Sequence, residues 1–142
     1  MSKPLRVIDA LFEKLKQIEN VPIYKNEPLP QKIPNTGIVF LRDGDLGEPE
    51  VLLSPLIYIY NHKIEIEIIV QALDSQERDV LADKILMKVY EFVNQSPTLD
   101  GSIDYLSFGT PEFLLEAPEG TVPIKAIILP IYLEYTTQNI LT

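Results

Sequence analysis

Hydrophobic residues recur every three to four positions near the start of the chain, as they do on one face of an α-helix. This spacing predicts an amphipathic helix over about residues 4–19, with Ser2 as its cap and Pro4 in its first turn. Asn20 and Pro22 are expected to end the helix. Its apolar stripe is formed by Leu5, Ile8, Leu11, Phe12, Leu15 and Ile18.

In the middle of the chain the pattern changes to strict alternation, which is typical of a β-strand with one buried face. The segment from Leu56 to Leu73 is either one long bent strand or two strands around Asn61–Lys63. Its apolar face carries Ile64, Ile66, Ile68 and Val70, and the opposite face carries Glu65, Glu67, Ile69 and Gln71. This alternation predicts a sheet with one dry side and one wet side.

Helical spacing returns after Asp74, an N-cap residue followed three positions later by Glu77. The second helix is predicted to run for about 20 residues, to about Asn94. Its main buried stripe is expected to contain Leu81, Ile85, Val89, Phe92 and Val93.

Shorter β-like segments complete the pattern, at Ile23–Tyr24, Gly37–Arg42, Ile103–Gly109, Phe113–Leu115 and Val122–Thr136. Between them lie a proline-rich arm over about residues 26–36 and an irregular acidic loop over about residues 43–55. Pro123 and Pro130 predict that the last strand lies at a sheet edge or contains a bulge. Short turns between strands favour antiparallel pairing. We therefore expect a single α+β domain over residues 1–142, a two-layer sandwich with a mainly antiparallel sheet and two helices packed on one face.

Composition narrows the functional classes. The 142 residues include no cysteine, which excludes disulfides and thiolate chemistry. Twelve basic against 21 acidic residues give a net charge of −9 without a basic cluster, so tight nucleic-acid binding is disfavoured. No apolar run approaches the roughly 20 residues of a membrane span, and the start of the chain is charged, so a soluble, intracellularly made protein is expected.

Few residues suggest catalysis, and we expect no enzyme, no cofactor and no metal. His62 is the only histidine, and a serine elbow and glycine-rich phosphate motifs are absent from the sequence. On a continuous strand His62 shares the face of Ile64, whereas Glu65 and Glu67 lie on the other face and cannot join it around one ion. The two glutamates are better interpreted as a solvated or interface-facing row of charges.

Unpaired strand edges indicate assembly instead. The segments Lys63–Ala72 and Val122–Thr136 are each long enough to leave open rows of backbone donors and acceptors at the edges of a small sheet. Edge pairing, or the proline-rich arm lying across a neighbour, generates rings when the rotation closes and filaments when it does not. The candidate interface residues are Pro28, Pro30, Tyr58, Tyr60, His62, Glu65, Glu67, Tyr132 and Tyr135. The alternative is that Pro123 and Pro130 only protect the edge of a monomer.

The chain resembles phage tail completion proteins of the tail terminator type. The resemblance rests on the start PLRVIDALFEKL, on IYIYNHKIEIEIIVQ, on the capped helix that begins at Asp74, and on the closing IYLEYTT. Within the second segment it involves Tyr60, His62, Glu65, Glu67 and Gln71. The order of elements matches over nearly the whole chain, but the resemblance does not extend to the proline-rich arm or to the insertion at about Asp45–Pro55.

This resemblance implies a structural role in the tail of a virion. Such proteins form a ring, usually a hexamer, that caps the tail tube, stops polymerisation of the tube protein and offers a surface to the head–tail connector. The implied partners are copies of the chain itself, the tube protein and the connector, and DNA passes through the lumen without specific binding. The chain would be made in the cytoplasm of a bacterial host. The alternatives are a small acyl-transferase-like enzyme and a monomeric adaptor that binds peptides at its sheet edge.

Overall fold

Two helices and seven strands make up the fold in a computed structural model that describes residues 1–142. In chain order they are α1 (Lys3–Leu15), β1 (Ile23–Lys25), β2 (Ile38–Asp43), β3 (Glu50–Leu53), β4 (Leu56–Gln71), α2 (Ser75–Asn94), β5 (Tyr105–Phe108), β6 (Glu112–Glu116) and β7 (Ile124–Thr137). All strands belong to one mostly antiparallel sheet. The predicted α+β class is confirmed.

Both helices begin at the predicted caps. The Ser2 side chain accepts from the Leu5 amide, and the Asp74 carboxylate accepts from the Glu77 amide at 3.1 Å. Helix α1 ends at Leu15, four residues before the predicted end, because the amides of Gln17 and Ile18 bond to carbonyls only three residues back. In its buried stripe Val7 replaces Leu5, which is exposed.

Neither helix has the length and apolar character that a membrane span requires.

The centre of the sheet is the pair β4 and β7, in which residues 58–71 face residues 124–137 in antiparallel register. Of the two alternatives for Leu56–Leu73, one long strand or two strands around Asn61–Lys63, the structure has the single strand. Strands β2 and β3 follow one another along the outer side of β4, and β5 and β6 do the same along β7. The prediction that the two long strands form open edges is wrong, because each has partners on both sides. The shorter strands β1, β3, β5 and β6 carry the free edges.

Pro130 is tolerated in this central strand because the side of β7 on which it lacks an N–H donor lies at the break between β5 and β6. It lies opposite Glu65 of β4. On the other side its carbonyl accepts from the Gly109 amide at 2.8 Å, in the connection between β5 and β6. The amide and carbonyl of one residue in an antiparallel strand point to the same side. Of the two predicted alternatives, an edge strand or a bulge, the edge strand is wrong, because the proline position coincides with a gap between β5 and β6 that the sequence does not reveal.

The main core lies between the two helices and one face of the sheet, which we call the helix face. Alternate residues of β4 and β7 supply it, including Ile66 and Ile131, both fully buried. The opposite face of the sheet, which the alternation predicts to be exposed to solvent, is partly covered. Near β2 the proline-rich arm crosses it, and its Ile33 packs with Ile38, Phe40 and Ile69 in a second cluster of four buried residues.

Candidate functional site

The nine candidate interface residues do not form one surface. Three of them, Tyr60, His62 and Tyr135, are at least 97% buried because they lie on the helix face together with Ile64 and Leu133. They are unavailable to a partner, so their assignment to the interface is corrected. Pro28 is exposed, and the remaining five, Pro30, Tyr58, Glu65, Glu67 and Tyr132, are half-buried.

The buried trio forms a polar cluster inside the subunit. His62 Nδ1 lies 3.1 Å from the Tyr135 hydroxyl, and the Tyr60 hydroxyl donates to the Ile140 carbonyl at 2.6 Å. Burial lowers the pKa of His62, although the Asp43 and Asp45 carboxylates oppose the shift. Burial also raises the pKa of both tyrosines. The neutral cluster ties the end of the chain to β4.

Glu65 and Glu67 lie on the face opposite His62, as the alternation predicts. Glu67 Oε2 is 3.9 Å from Nε of Arg42, whose guanidinium lies 4.5 Å from the centre of the Phe40 ring. Arg42 also donates to the Glu27 carbonyl in the arm. This arrangement anchors the arm to the sheet. No three histidine or carboxylate side chains converge as ligands for a metal ion.

Exposed apolar residues concentrate on two short edge strands instead. In β3 and the residue after its turn they form what we call the β3 corner, composed of Val51, Leu52, Leu53 and Leu56. In β6 they form the β6 corner, composed of Phe113, Leu114 and Leu115. Leu53 is 79% exposed and Leu115 is 61% exposed. Contiguous exposed apolar side chains on an edge strand are typical of interaction sites.

The two corners lie at diagonally opposite ends of the sheet. Strand β3 pairs with the start of β4, which faces the end of β7, whereas β6 pairs with the start of β7. One free edge faces outward on the β4 side and the other on the β7 side. A contact between the β3 corner of one copy and the β6 corner of the next is therefore heterologous, the kind that produces rings or filaments.

Sequence reasoning missed β3 because Gly47, Pro49 and Pro55 interrupt the surrounding segment. The usable signal was the similarity of EVLL at residues 50–53 to EFLLE at residues 112–116, two apolar runs that each follow a glutamate. It also missed Arg78, which is 94% buried in the first turn of α2. Arg78 lies four and seven residues before the buried Ala82 and Ile85, a spacing that places it on the buried stripe.

The sequence matches no family model and no curated protein. In structure it is similar to a chain described as "Virion of native gene transfer agent (GTA) particle", with 12% sequence identity and a TM-score of 0.48. The alignment covers 90% of this chain and 94% of the other. The likeness is to a component of a virion particle and concerns the course of the backbone alone.

Proposed function

We propose that this chain is a structural protein of a phage or phage-like virion, and that copies of it form a ring that caps the tail tube. The ring ends polymerisation of the tube protein and presents a surface for joining the head. The observation that carries the proposal is the pair of exposed apolar edge strands at opposite corners of one sheet. The resemblance of the sequence to tail terminators supports the same role.

The corners suit assembly because they combine unpaired backbone groups with apolar side chains. Each residue of β3 and β6 is exposed, and each strand has one partner only. Pairing across subunits satisfies the open backbone groups and removes apolar surface from water. The two strands have four and five residues, so their lengths differ by only one residue.

The negative charge of the subunit fits a passage for DNA. With a net charge of −9, a ring of several copies repels phosphates from its lumen instead of holding them. The genome then passes through without specific contacts, and no membrane takes part in the process.

We also propose that the chain is not an enzyme. Its single histidine is buried, and its Nδ1 faces the Tyr135 hydroxyl, so His62 is poorly placed to exchange protons with a substrate. If the purified chain turned over an acyl donor, and substitution of a surface residue abolished that turnover, this part of the proposal would be contradicted.

Electron microscopy of tails assembled with and without the chain tests the role. We expect tubes of uniform length, ending in a ring, when the chain is present, and overlong tubes when it is absent. Sedimentation measures the mass of the assembly, which should be several times 16.1 kDa. A chain that stays monomeric with tube protein present, and leaves tube length unchanged, would contradict the ring and favour a peptide-binding adaptor.

A further inference from the structure

A buried arginine without an anionic partner lies beside the β6 corner. Arg78 is 6% exposed, yet its guanidinium makes one hydrogen bond, from Nη1 to the Ala72 carbonyl at 2.9 Å. Its Nε has no partner, and no carboxylate forms an ion pair with it. A buried cation that lacks an anion is costly, and an anion brought by another molecule would offset that cost.

The surroundings of Arg78 favour an anion. Its side chain lines a cavity of about 340 Å³ between the first turn of α2 and strand β6. Ser75, the first residue of this 20-residue helix, lies in the same wall, where the helix dipole and the amides that the Asp74 cap does not use attract negative charge. Lys125 and Asp79 also line the cavity and pair with each other at 3.0 Å, so Arg78 is the cation there that lacks a carboxylate partner.

The apolar part of the cavity indicates what kind of molecule carries the anion. Phe113, Leu114 and Leu115 of the β6 corner form the wall opposite the helix. A free inorganic anion covers none of this surface. An extended segment that carries a carboxylate next to apolar side chains satisfies the arginine and the β6 corner together.

The same chain contains such a segment at the β3 corner. Residues 43–50 include four carboxylates, and no lysine or arginine occurs from there to Lys63. Glu48 is exposed and makes no hydrogen bond or ion pair in the subunit. The loop that carries Glu48 runs directly into β3, so in a head-to-tail contact it reaches the next subunit together with that strand.

We propose that the cavity at Arg78 is a carboxylate receptor for a second copy of this chain, and that it binds the acidic loop before β3 with Glu48 as the leading anion. The proposal rests on the ring put forward above and names the charged contact that sets its register. Strand β3 then lies along the β6 corner while the carboxylate enters the cavity beside Arg78.

Binding is measured by nuclear magnetic resonance with a peptide of residues 43–53 as the probe. We expect saturable shifts of the Arg78 Nε–H signal and of the β6 amides. The same peptide with Glu48→Gln should bind at least about tenfold more weakly, the usual effect of losing a charge-assisted contact. Absence of a peptide-induced shift at Arg78 would overturn the proposal. Sodium acetate that shifts the same signals at equal concentration would also overturn it, since the site would then be a general anion site.

Substitution of the arginine separates a receptor from a purely structural residue. Arg78→Met removes the buried charge and leaves a shorter, unbranched apolar side chain, so the isolated subunit should melt at about the same or a higher temperature. The variant should nevertheless lose peptide binding. Lys88→Met, an equal change of charge at an exposed position of α2, is the control and should bind normally. A lowered melting temperature for Arg78→Met, together with unchanged peptide binding, would assign a structural role only.

The capping assay distinguishes failure of the receptor from failure of the ring. If the wild type caps tubes and Arg78→Met caps them equally well, the receptor is wrong and the ring stands. If the wild type does not cap tubes but binds the peptide through Arg78, the ring is wrong and the binding site stands.

Discussion

Replacing Leu53 with serine removes the most exposed apolar side chain of the β3 corner. Complete burial of a leucine side chain stabilises by about 1.5–3 kcal/mol. Leu53 is 79% exposed in the subunit, so an interface that covers it gains about 1–2 kcal/mol from this residue. A change of that size weakens association about 5- to 30-fold per contact. The free energy of unfolding of the subunit should change by no more than about 0.5 kcal/mol, because the site is exposed.

Sedimentation equilibrium over a concentration series measures the association constant, and urea unfolding measures the stability of the subunit. Leu29→Ser is the matched control, because Leu29 is an exposed leucine of the arm outside both corners. It should leave association unchanged. The reasoning is refuted if Leu53→Ser associates like the wild type, or if the two leucine variants weaken association equally.

Three further predictions concern the subunit itself. The pKa of His62 in the folded subunit lies below the ordinary value of 6.5, so the free energy of unfolding should fall as the pH is lowered below 6.5, by at most about 1.4 kcal/mol per pH unit. In His62→Gln the decline measured by urea unfolding should be shallower, and an equal slope would contradict this. Gly37→Ala should destabilise by about 1–3 kcal/mol, since φ is +77° and the new Cβ lies 2.7 Å from Ile85 Cδ1; a thermal melt that matches the wild type would disprove the clash. Asp74→Ala should lower the free energy of unfolding by about 1 kcal/mol, because the Glu77 amide loses its cap. In the same melts Asp74→Asn should retain most of the stability of the wild type.

The sequence predicts the elements whose signals are local. Helix α2 follows from the Asp74 cap and the apolar spacing after it, and β4 follows from the alternation of isoleucine with glutamate. The central position of β7 has no such signal, because it depends on pairing with β4 across more than 50 residues of chain. Pro130 pointed to an edge, and only the break between β5 and β6 explains how it fits.

The candidate site was less predictable than the fold. Aromatic residues near a strand were assigned to an interface, but residue parity places Tyr60 and Tyr135 inside. His62 and Ile64 are two residues apart on one strand, so the buried position of this face could already be inferred from the sequence. The exposure of β3 and β6 depends on where the sheet ends, and no local pattern determines the outermost strands.

Disulfide cross-linking between the two corners tests the central claim most directly, because the chain has no cysteine of its own. Within one subunit, Leu53 and Leu115 are more than about 40 Å apart along the sheet, so their cysteine replacements can bond only between copies. Oxidation of Leu53→Cys/Leu115→Cys on capped tubes should give a ladder of covalent oligomers that ends at a closed ring, whereas neither single variant should give more than traces of dimer. A double variant that caps tubes but remains uncross-linked, or single variants that dimerise equally well, would contradict a head-to-tail ring built from these corners.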